Sequence, residues 1–277
     1  TGNGNCNAEI DNMTITITNA PTADANVDQT VCANNADVSL AGAVTVATGG
    51  TWSGGLGIFT PNNTTLNAIY SPTAAEITAG TVTLTLTTTG NGGCLAVPDD
   101  MIITITNAPT VDADLDQTVC ANNPSVTLNG SVTVATGGSW SGGSGTFAPN
   151  ANTLNAVYTP SAAEITAGTA TLTLTTTGNG NCNAEIDNMT ITITPSPTAD
   201  AGVDQSVCEN NPDVTLAGSV TVATGGTWSG GAGTFTPNNN ALNAVYTPTA
   251  AEITAGTVIL TLTTTGNGNC TAEVDDM

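Results

Sequence analysis

Cysteines recur along this chain of 277 residues at a fixed spacing, and their thiols can form disulfides or bind metal ions. Neighbours within each of two series are 88 residues apart; one series follows a DQTV or DQSV segment and the other a GNG segment. The first series is Cys32, Cys120 and Cys208, and the second is Cys6, Cys94, Cys182 and Cys270. This regularity favours disulfides and an oxidising compartment. A metal-thiolate site is disfavoured, because the chain has no CxxC pair and no histidine.

Two disulfide pairings are open on the sequence alone. The first lies within a repeat and joins Cys32 to Cys94, Cys120 to Cys182 and Cys208 to Cys270, which leaves Cys6 without a partner. In an immunoglobulin-type topology the two cysteines of one repeat lie at opposite poles, beyond the roughly 4.4 to 6.8 Å between Cα atoms that a disulfide spans. The second pairing joins neighbouring repeats, Cys182 to Cys32 and Cys270 to Cys120.

Aspartates form a second recurring set. They lie just after each proline-containing linker or in the loop before the last strand of a repeat. Their positions are Asp24, Asp28, Asp99, Asp112, Asp114, Asp116, Asp187, Asp200, Asp204 and Asp275. Calcium takes about six to eight oxygen ligands, so these carboxylates could hold a calcium ion that rigidifies a junction between domains. The alternative is that they are solvated turn residues that accept hydrogen bonds from backbone N–H groups.

The charge of the chain excludes several functions. It has 22 Asp and Glu residues and no Lys, Arg or His, which gives a formal net charge of −22. Without a cationic surface we expect no binding to nucleic acid or to anionic lipid. A Ser–His triad cannot form without histidine. Paired carboxylates could act as a glycosidase acid and base, but an active site in every repeat would be unusual, and we predict no enzyme activity.

Tryptophan follows the same spacing, at Trp52, Trp140 and Trp228. An exposed indole could stack on sugars. A small domain, however, has few other large side chains to bury. We therefore predict that these three residues anchor the hydrophobic cores.

The spacing of all these residues predicts tandem domains, because a unit of 88 residues has the size of a small domain. We expect the C-terminal hairpin of a preceding repeat at 1–18 and complete repeats at 20–106 and 108–194, called here the first and second repeats. A third repeat at 196–277 lacks its last strand. The sequence "TGNGNCNAEIDNMTITIT" at 1–18 equals that at 177–194, so we interpret the chain as a window of a longer array.

Alternating apolar and polar residues predict short strands separated by glycine-rich turns. In the second repeat we expect strands near 116–119, 125–134, 138–141, 145–147, 154–158, 169–177 and 189–194. The segment 161–168 is helix-like. This pattern is typical of all-β, tandem antiparallel β-sandwich repeats of the immunoglobulin-like class.

Residues 197–270 resemble the tandem Ig-like or PKD-like repeats of giant cell-surface proteins of Bacteroidota, which include adhesins and appendages exported by the type IX secretion system. The segments "DQTVC", "GTWSGG" and "YTPTAAEITAG" carry the resemblance. It implies an extracellular sandwich repeat at the cell surface. It supplies no binding residues.

Two functions compete for such an array. The first is a structural stalk or filament, and the second is a calcium-assisted adhesin that binds cells or glycans. The loops are nearly the same in each repeat and poor in aromatic residues, which favours the stalk. Rows of uncharged threonine on the strands favour association with identical chains in a filament or bundle. No apolar run approaches the roughly 18 residues that cross a membrane, so we expect no membrane insertion in this segment.

Overall fold

The computed structural model describes Gly4 and residues 9–277, and Cys6 lies outside the described residues. The first repeat comprises β1 (Thr22–Asp24), β2 (Gln29–Cys32), β3 (Val38–Ser39), β4 (Ala43–Thr45), β5 (Gly49–Ser53), β6 (Ile58–Thr60), β7 (Ile69–Ser71), α1 (Ala74–Ala79), β8 (Thr81–Thr89) and β9 (Pro98–Thr106). The second comprises β10 (Thr110–Asp112), β11 (Gln117–Cys120), β12 (Val126–Thr127), β13 (Ser131–Thr133), β14 (Gly137–Gly142), β15 (Thr146–Ala148), β16 (Val157–Thr159), α2 (Ala162–Ala167), β17 (Thr169–Thr177) and β18 (Ile186–Thr194). The third comprises β19 (Thr198–Asp200), β20 (Val214–Thr215), β21 (Ser219–Thr221), β22 (Gly225–Ser229), β23 (Thr234–Thr236), β24 (Val245–Thr247), α3 (Ala250–Ala255), β25 (Thr261–Thr265) and β26 (Val274–Asp276).

The first two repeats build the same three sheets. In the second repeat, β11, β18, β17 and β14 form a four-stranded sheet in that order, β12, β16 and β15 form a three-stranded sheet, and β10 pairs with β13. The first repeat has the corresponding sheets β2-β9-β8-β5, β3-β7-β6 and β1-β4. The predicted antiparallel β-sandwich is confirmed, with one addition. Strand β11 runs parallel to β18, and β2 runs parallel to β9.

A hydrophobic core lies between the sheets of each repeat. Strand β17 shows why: its leucines Leu172 and Leu174 are fully buried, while the threonines between them face outward. Trp140 of β14 and Tyr158 of β16 complete the same core from the two larger sheets. Period-2 alternation therefore produces a half-buried sheet, as the sequence predicts.

The strand predicted at 125–134 is wrong in its extent. The chain there forms β12 and β13, which belong to different sheets. Between them Gly130 passes so close to the Trp140 indole and the Leu174 side chain that no Cβ would fit. Strand β13 ends at Thr133, because Val134 has a φ of 64° and the Ala135 N–H donates to the Thr133 carbonyl in a γ-turn. Strand β10, which precedes all the predicted strands, was also missed.

The helix-like segment is a short helix with complete caps. In α2 the Ser161 hydroxyl accepts from the Glu164 N–H, and the Glu164 carboxylate accepts from the Ser161 N–H, which is a capping box. Gly168 ends the helix in the left-handed conformation, with a φ of 77°. Helices α1 and α3 have the same caps.

The third repeat has the same strands as the second except at one place. Its largest sheet has three strands, β22, β25 and β26, and the described chain ends at Met277 without a counterpart of residues 190–194. Residues 205–208, which correspond to β11, form no strand. A strand needs a hydrogen-bonded neighbour, and the parallel neighbour of β11 is the missing segment.

The chain divides into two compact units. One consists of Thr1–Ala108 and Asn179–Asn183, and the other of Pro109–Gly178 and Ala184–Met277. The glycine turn 179–183 of the second repeat therefore belongs to the unit that holds the first repeat. Residues 9–18, where part of a hairpin is predicted, form no strand and are exposed.

Candidate functional site: the disulfide junctions

Two disulfides join residues of successive repeats. Cys32 bonds to Cys182, with 4.9 Å between the Cα atoms, and Cys120 bonds to Cys270, with 5.0 Å between them. Each bond lies within one compact unit. Of the two pairings open on the sequence, the structure forms the one between neighbouring repeats.

Sheet topology explains this pairing. Strand β11 lies parallel to β18 with Cys120 opposite Thr194, so Cys120 is at the end of the sheet where β18 finishes. Cys182 precedes the start of β18, at the other end of that strand. A strand of nine residues spans about 30 Å, far beyond the reach of a disulfide. A bond between Cys120 and Cys182 is therefore impossible in this fold.

Asparagine side chains surround each disulfide. In the first unit the Asn34 Nδ2 donates to the Asn183 carbonyl, and the Asn183 N–H and Nδ2 donate to the Asn34 Oδ1 and carbonyl oxygens, all at 3.1 Å. The Asn181 Nδ2 donates to the Thr30 carbonyl at 3.0 Å. These contacts orient the turn, so that the thiol of Cys182 faces its partner.

The second unit repeats the arrangement. The Asn122 Nδ2 donates to the Thr271 carbonyl at 3.1 Å and to the Glu273 Oε1 at 2.7 Å. The Asn269 Nδ2 donates to the Thr118 carbonyl at 3.2 Å. Sequence reasoning did not identify these asparagines, although they recur beside the cysteines in "VCANN" and "GNGNC".

A linker carbonyl lies against both sulfurs of each disulfide. The Asn107 carbonyl is 3.7 Å from the Cys32 Sγ and 3.5 Å from the Cys182 Sγ. The Pro195 carbonyl is 3.8 Å from the Cys120 Sγ and 3.7 Å from the Cys270 Sγ. Each linker residue directly follows the last strand of a repeat, so disulfide, linker and last strand meet at one point.

Cys94 and Cys208 carry free thiols, and Cys6 lies outside the described residues. Cys208 is exposed, whereas Cys32 and Cys120 are fully buried. The Cys94 Sγ lies 3.6 Å from the carbonyl of Asn19. Asn19 stands in the linker position that Asn107 and Pro195 occupy.

The aspartates accept backbone hydrogen bonds. The Asp187 Oδ2 accepts from the Ala113 N–H at 2.8 Å, and the Asp116 Oδ1 accepts from the Thr190 N–H at 2.7 Å. The same two kinds of bond involve Asp99 and Asp28 in the first repeat and, for the first kind, Asp275 in the third. The other bonds are local turns, made by Asp24, Asp112, Asp114 and Asp200.

These bonds bring the two predicted groups of aspartates together within a repeat. They favour the interpretation of the aspartates as caps of backbone N–H groups. Among the described residues, no group of three or more Cys, Asp or Glu side chains is arranged to hold a metal ion. The calcium site stays a prediction, and the structure adds no ligand set to it.

The tryptophans lie in the cores, with exposed fractions of 0% for Trp52 and Trp228 and 2% for Trp140. The Trp140 Nε1 donates to the Leu154 carbonyl at 3.1 Å, so the polar atom is also satisfied. None of the three indoles is available as a stacking surface for sugars.

A buried Tyr–Glu pair in each repeat was not identified from the sequence. The Tyr158 hydroxyl donates to the Glu164 Oε1 at 2.8 Å, and the same oxygen accepts from the Ser144 N–H at 2.9 Å. The Gly145 N–H donates to the Tyr158 hydroxyl oxygen at 2.9 Å. The pair therefore ties the glycine turn 142–145 to helix α2. The capping-box pattern with a tyrosine six residues before the glutamate is the signal that could have found it.

The environment of the pair shifts both pKa values. Burial and the hydrogen bond to Glu164 raise the pKa of Tyr158 to about 12. Burial also raises the pKa of the Glu164 carboxyl, but hydrogen bonds from the Ser161 and Ser144 N–H groups and from the Tyr158 hydroxyl outweigh it and hold this pKa below 4.5. In the third repeat the hydrogen bonds from the Thr249 and Ala232 N–H groups lower the pKa of Glu252 to about 2. The glutamates are therefore structural anions.

No protein-family model and no curated protein matches this chain. Among solved structures it is similar to mouse cadherin-23 EC22-24, with 14% identity, covering 94% of this chain and 98% of that chain, at a TM-score of 0.37. It is similar to titin domains I67-I69, in an E-to-A variant, with 11% identity, the same two coverages and a TM-score of 0.47. It is similar to Sidekick-1 immunoglobulin domains 1-5, with 12% identity, covering 93% of this chain and 58% of that chain, at a TM-score of 0.34. The fold class rests on the strand pairings and cores described above.

No helix in the described part of the chain combines the length and apolar character that crossing a membrane requires.

Proposed function

We propose that this chain is a structural segment of an extracellular cell-surface stalk or filament, and that it self-associates. The pair of disulfides that link successive repeats is the observation that carries the proposal. Disulfides persist in oxidising compartments, which supports an extracellular location. The three separate hydrophobic cores support domains at 20–106, 108–194 and 196–277.

Each disulfide gives a junction a second covalent connection. Within the second unit the chain already runs from Thr194 to Thr198 through a short linker. The bond between Cys120 and Cys270 adds another connection between the same two repeats. Two connections restrict rotation at the junction far more than one does. This is the property that a stalk of constant geometry needs.

The two disulfide loops overlap along the chain, which limits its extension under force. From residue 32, a pulling force can cross to 182 and follow 88 residues to 270, or follow 88 residues to 120 and cross to 270. Either path alone prevents extension of all 238 residues between 32 and 270. Loss of one disulfide therefore leaves the limit unchanged.

Single-molecule force spectroscopy tests this prediction. An extended chain spans about 3.3 to 3.6 Å per residue, so we expect about 300 Å between 32 and 270 in the oxidised chain and about 800 Å after reduction. The single variant Cys120→Ser is the matched control and should also extend to about 300 Å. The double variant Cys182→Ser/Cys270→Ser should extend to about 800 Å without a reductant. An oxidised wild-type chain that extends to the full length would contradict the proposed stalk.

Self-association is supported by the uncharged outer faces of the large sheets. Along β8 the outward positions are threonines, and Ile102 of the neighbouring β9 is 44% exposed. Such faces can pair laterally when salt screens the net charge of −22. We expect light scattering to give a mass above that of one chain at marine salt. A single-chain mass over a series of salt and calcium concentrations would exclude self-association and leave the stalk proposal to the force experiment.

A further inference from the structure

The third repeat has an open position in its largest sheet. In the second repeat β18 lies between β11 and β17, and its residues Ile191 and Ile193 are 0% and 4% exposed. In the third repeat no described residue fills that place. Its borders are consequently uncovered: Val207 is 48% exposed, and residues 257–260 form no strand.

This position is an apolar groove with a volume of about 620 Å³. The side chains that line it include Val207, Tyr246, Ile253, Val258, Leu260 and Met277. Met277 and Leu260 exchange two backbone hydrogen bonds, at 2.9 and 3.1 Å, so Met277 holds the place of Met189. The groove begins at the next residue, where the second repeat has Thr190.

The same chain carries an exposed segment with the sequence that fills this groove in the second repeat. Residues 14–18 read TITIT, as do residues 190–194. Ile15 and Ile17 are 73% and 90% exposed and belong to no strand. They correspond to Ile191 and Ile193, so their apolar side chains have a place prepared for them in the third repeat.

We propose that residues 14–18 of one copy insert as the last strand of the third repeat of a second copy. The inference rests on the proposed self-association and assigns its interface. Each copy has one such segment and one such groove, so copies join head to tail. From residue 14 to 277 the chain has 264 residues, three times 88, so the insertion continues the sequence repeat from one copy to the next.

The second repeat supplies the register of the inserted strand. There Ile191 lies opposite Ala170, and the Thr190 N–H donates to Asp116. By correspondence, Ile15 lies opposite Val258, and the Thr14 N–H donates to Asp204. Residues 205–208 then become a parallel edge strand, because they gain the neighbour that β11 has in β18.

Insertion also brings the two free thiols together. In both existing junctions the carbonyl that follows the last strand lies between the two bonded sulfurs, as the Pro195 carbonyl does for Cys120 and Cys270. The Asn19 carbonyl follows the inserted strand and already lies 3.6 Å from the Cys94 Sγ of its own copy. Docking places that carbonyl beside Cys208 of the second copy. Cys94 of one copy therefore meets Cys208 of the other, which is the same pairing one repeat further on.

A disulfide oxidant such as oxidised glutathione closes this bond. The Cys94 thiolate attacks the oxidant, forming a mixed disulfide and releasing one glutathione thiol. The Cys208 thiolate of the second copy then attacks the Cys94 sulfur and releases a second glutathione thiol. Two protein thiols are oxidised and one disulfide oxidant is reduced, and the two protons pass to the solvent and the released thiols.

The new junction differs from the existing ones in its turn. Gly93 and Leu95 stand where Asn181 and Asn183 make their hydrogen bonds in the first unit. The junction between copies therefore lacks the side-chain hydrogen bonds that surround Cys182. We expect Leu95→Asn to strengthen it, because the amide could then bond to Asn210, the counterpart of Asn34.

The experiment measures the mass of the full chain by light scattering, in a glutathione redox buffer over a dilution series. All arms carry Cys6→Ser, so that only the two described free thiols remain. We expect a ladder of multimers for this chain. The variant Ile15→Asp/Ile17→Asp should weaken association by at least about a hundredfold, because two buried isoleucines are lost. Ile10→Asp, which changes an equally exposed isoleucine outside the inserted segment, is the matched control and should assemble normally.

A second arm fills the groove within the chain. Adding the five residues TITIT after Met277 should close the third repeat in its own copy and abolish assembly. Non-reducing gels and mass spectrometry after cleavage at acidic residues should identify the bond between Cys94 and Cys208. Mixing the Cys94→Ser chain with the Cys208→Ser chain should give only crosslinked pairs.

Each other outcome overturns the inference. Multimers that persist in Ile15→Asp/Ile17→Asp and in the extended chain would show lateral association, which keeps the proposed function and excludes strand insertion. A single-chain mass with both thiols free excludes any self-association, while the stalk role is judged by the force experiment. A bond between Cys94 and Cys208 within one chain would show that the groove is filled by its own copy.

Discussion

The second and third repeats have closely similar sequences but differ in how completely their sandwiches are filled. Twelve buried hydrophobic residues form the core of the second repeat, whereas seven form that of the third. Five residues, 190–194, account for most of the difference, since they bring two isoleucines and the neighbour of β11. A single strand thus decides whether both sheet borders form.

The largest expected effect separates the paired cysteine from the free one. Cys120→Ser opens a loop of 150 residues, which in the chain-entropy model costs up to about 5 kcal/mol. Cys208→Ser changes the corresponding residue of the third repeat, which is unpaired, and should leave the urea midpoint unchanged under dilute, single-chain conditions. Equal losses in the two variants would contradict the assigned pairing.

A core deletion tests the role of the last strand. Ile191→Ala removes a fully buried side chain and should lower the free energy of unfolding by about 2–5 kcal/mol. Ile15→Ala changes the residue of identical sequence context that is exposed, so it should have no effect on a single chain. Once copies assemble, Ile15→Ala should destabilise the multimer, and urea unfolding in both states measures the contrast.

The pH dependence of stability follows from the Tyr–Glu pairs. The pKa of Glu252 is lowered from 4.5 to about 2 in the folded chain, so its contribution is complete above about pH 4.5 and is lost as the pH falls toward 2. The pKa of Tyr158 is raised from 10.0 to about 12, so its contribution is lost as the pH rises from 10 to 12. Urea midpoints measured over these two ranges should fall at both ends.

Isosteric variants assign the two ends. Glu252→Gln should flatten the acid dependence associated with the third repeat, and Tyr158→Phe should flatten the alkaline dependence of the second. A wild-type chain whose stability is constant from pH 5 to 2 would contradict the ionised state of the glutamates.

The smallest expected effect concerns calcium. Because the aspartates already accept backbone N–H groups, as Asp187 does from Ala113, we expect calcium to leave the melting temperature of the chain unchanged. Asp187→Asn is the matched variant. A rise in melting temperature in the wild-type chain that is absent in Asp187→Asn would establish the calcium site predicted from the sequence.

The sequence predicts long, strictly alternating elements well. Strand β17 matches its predicted bounds, 169–177, because every second residue is apolar and a glycine bounds each end. The break at Gly130 and the γ-turn at Val134 were missed, since each depends on what lies above the backbone in three dimensions. The Tyr158–Glu164 pair was missed for the same reason.

The sequence by itself determined the all-β class, the repeat of 88 residues and the exclusion of functions that need cationic side chains, because these follow from composition and spacing alone. It left the cysteine pairing undecided. Only the tertiary structure decided it, by placing β11 parallel to β18, so that the two cysteines of one repeat lie at opposite ends of a sheet. The open groove was decided in the same way. A missing strand becomes a binding surface only where its neighbours are already held in position by the rest of the sandwich.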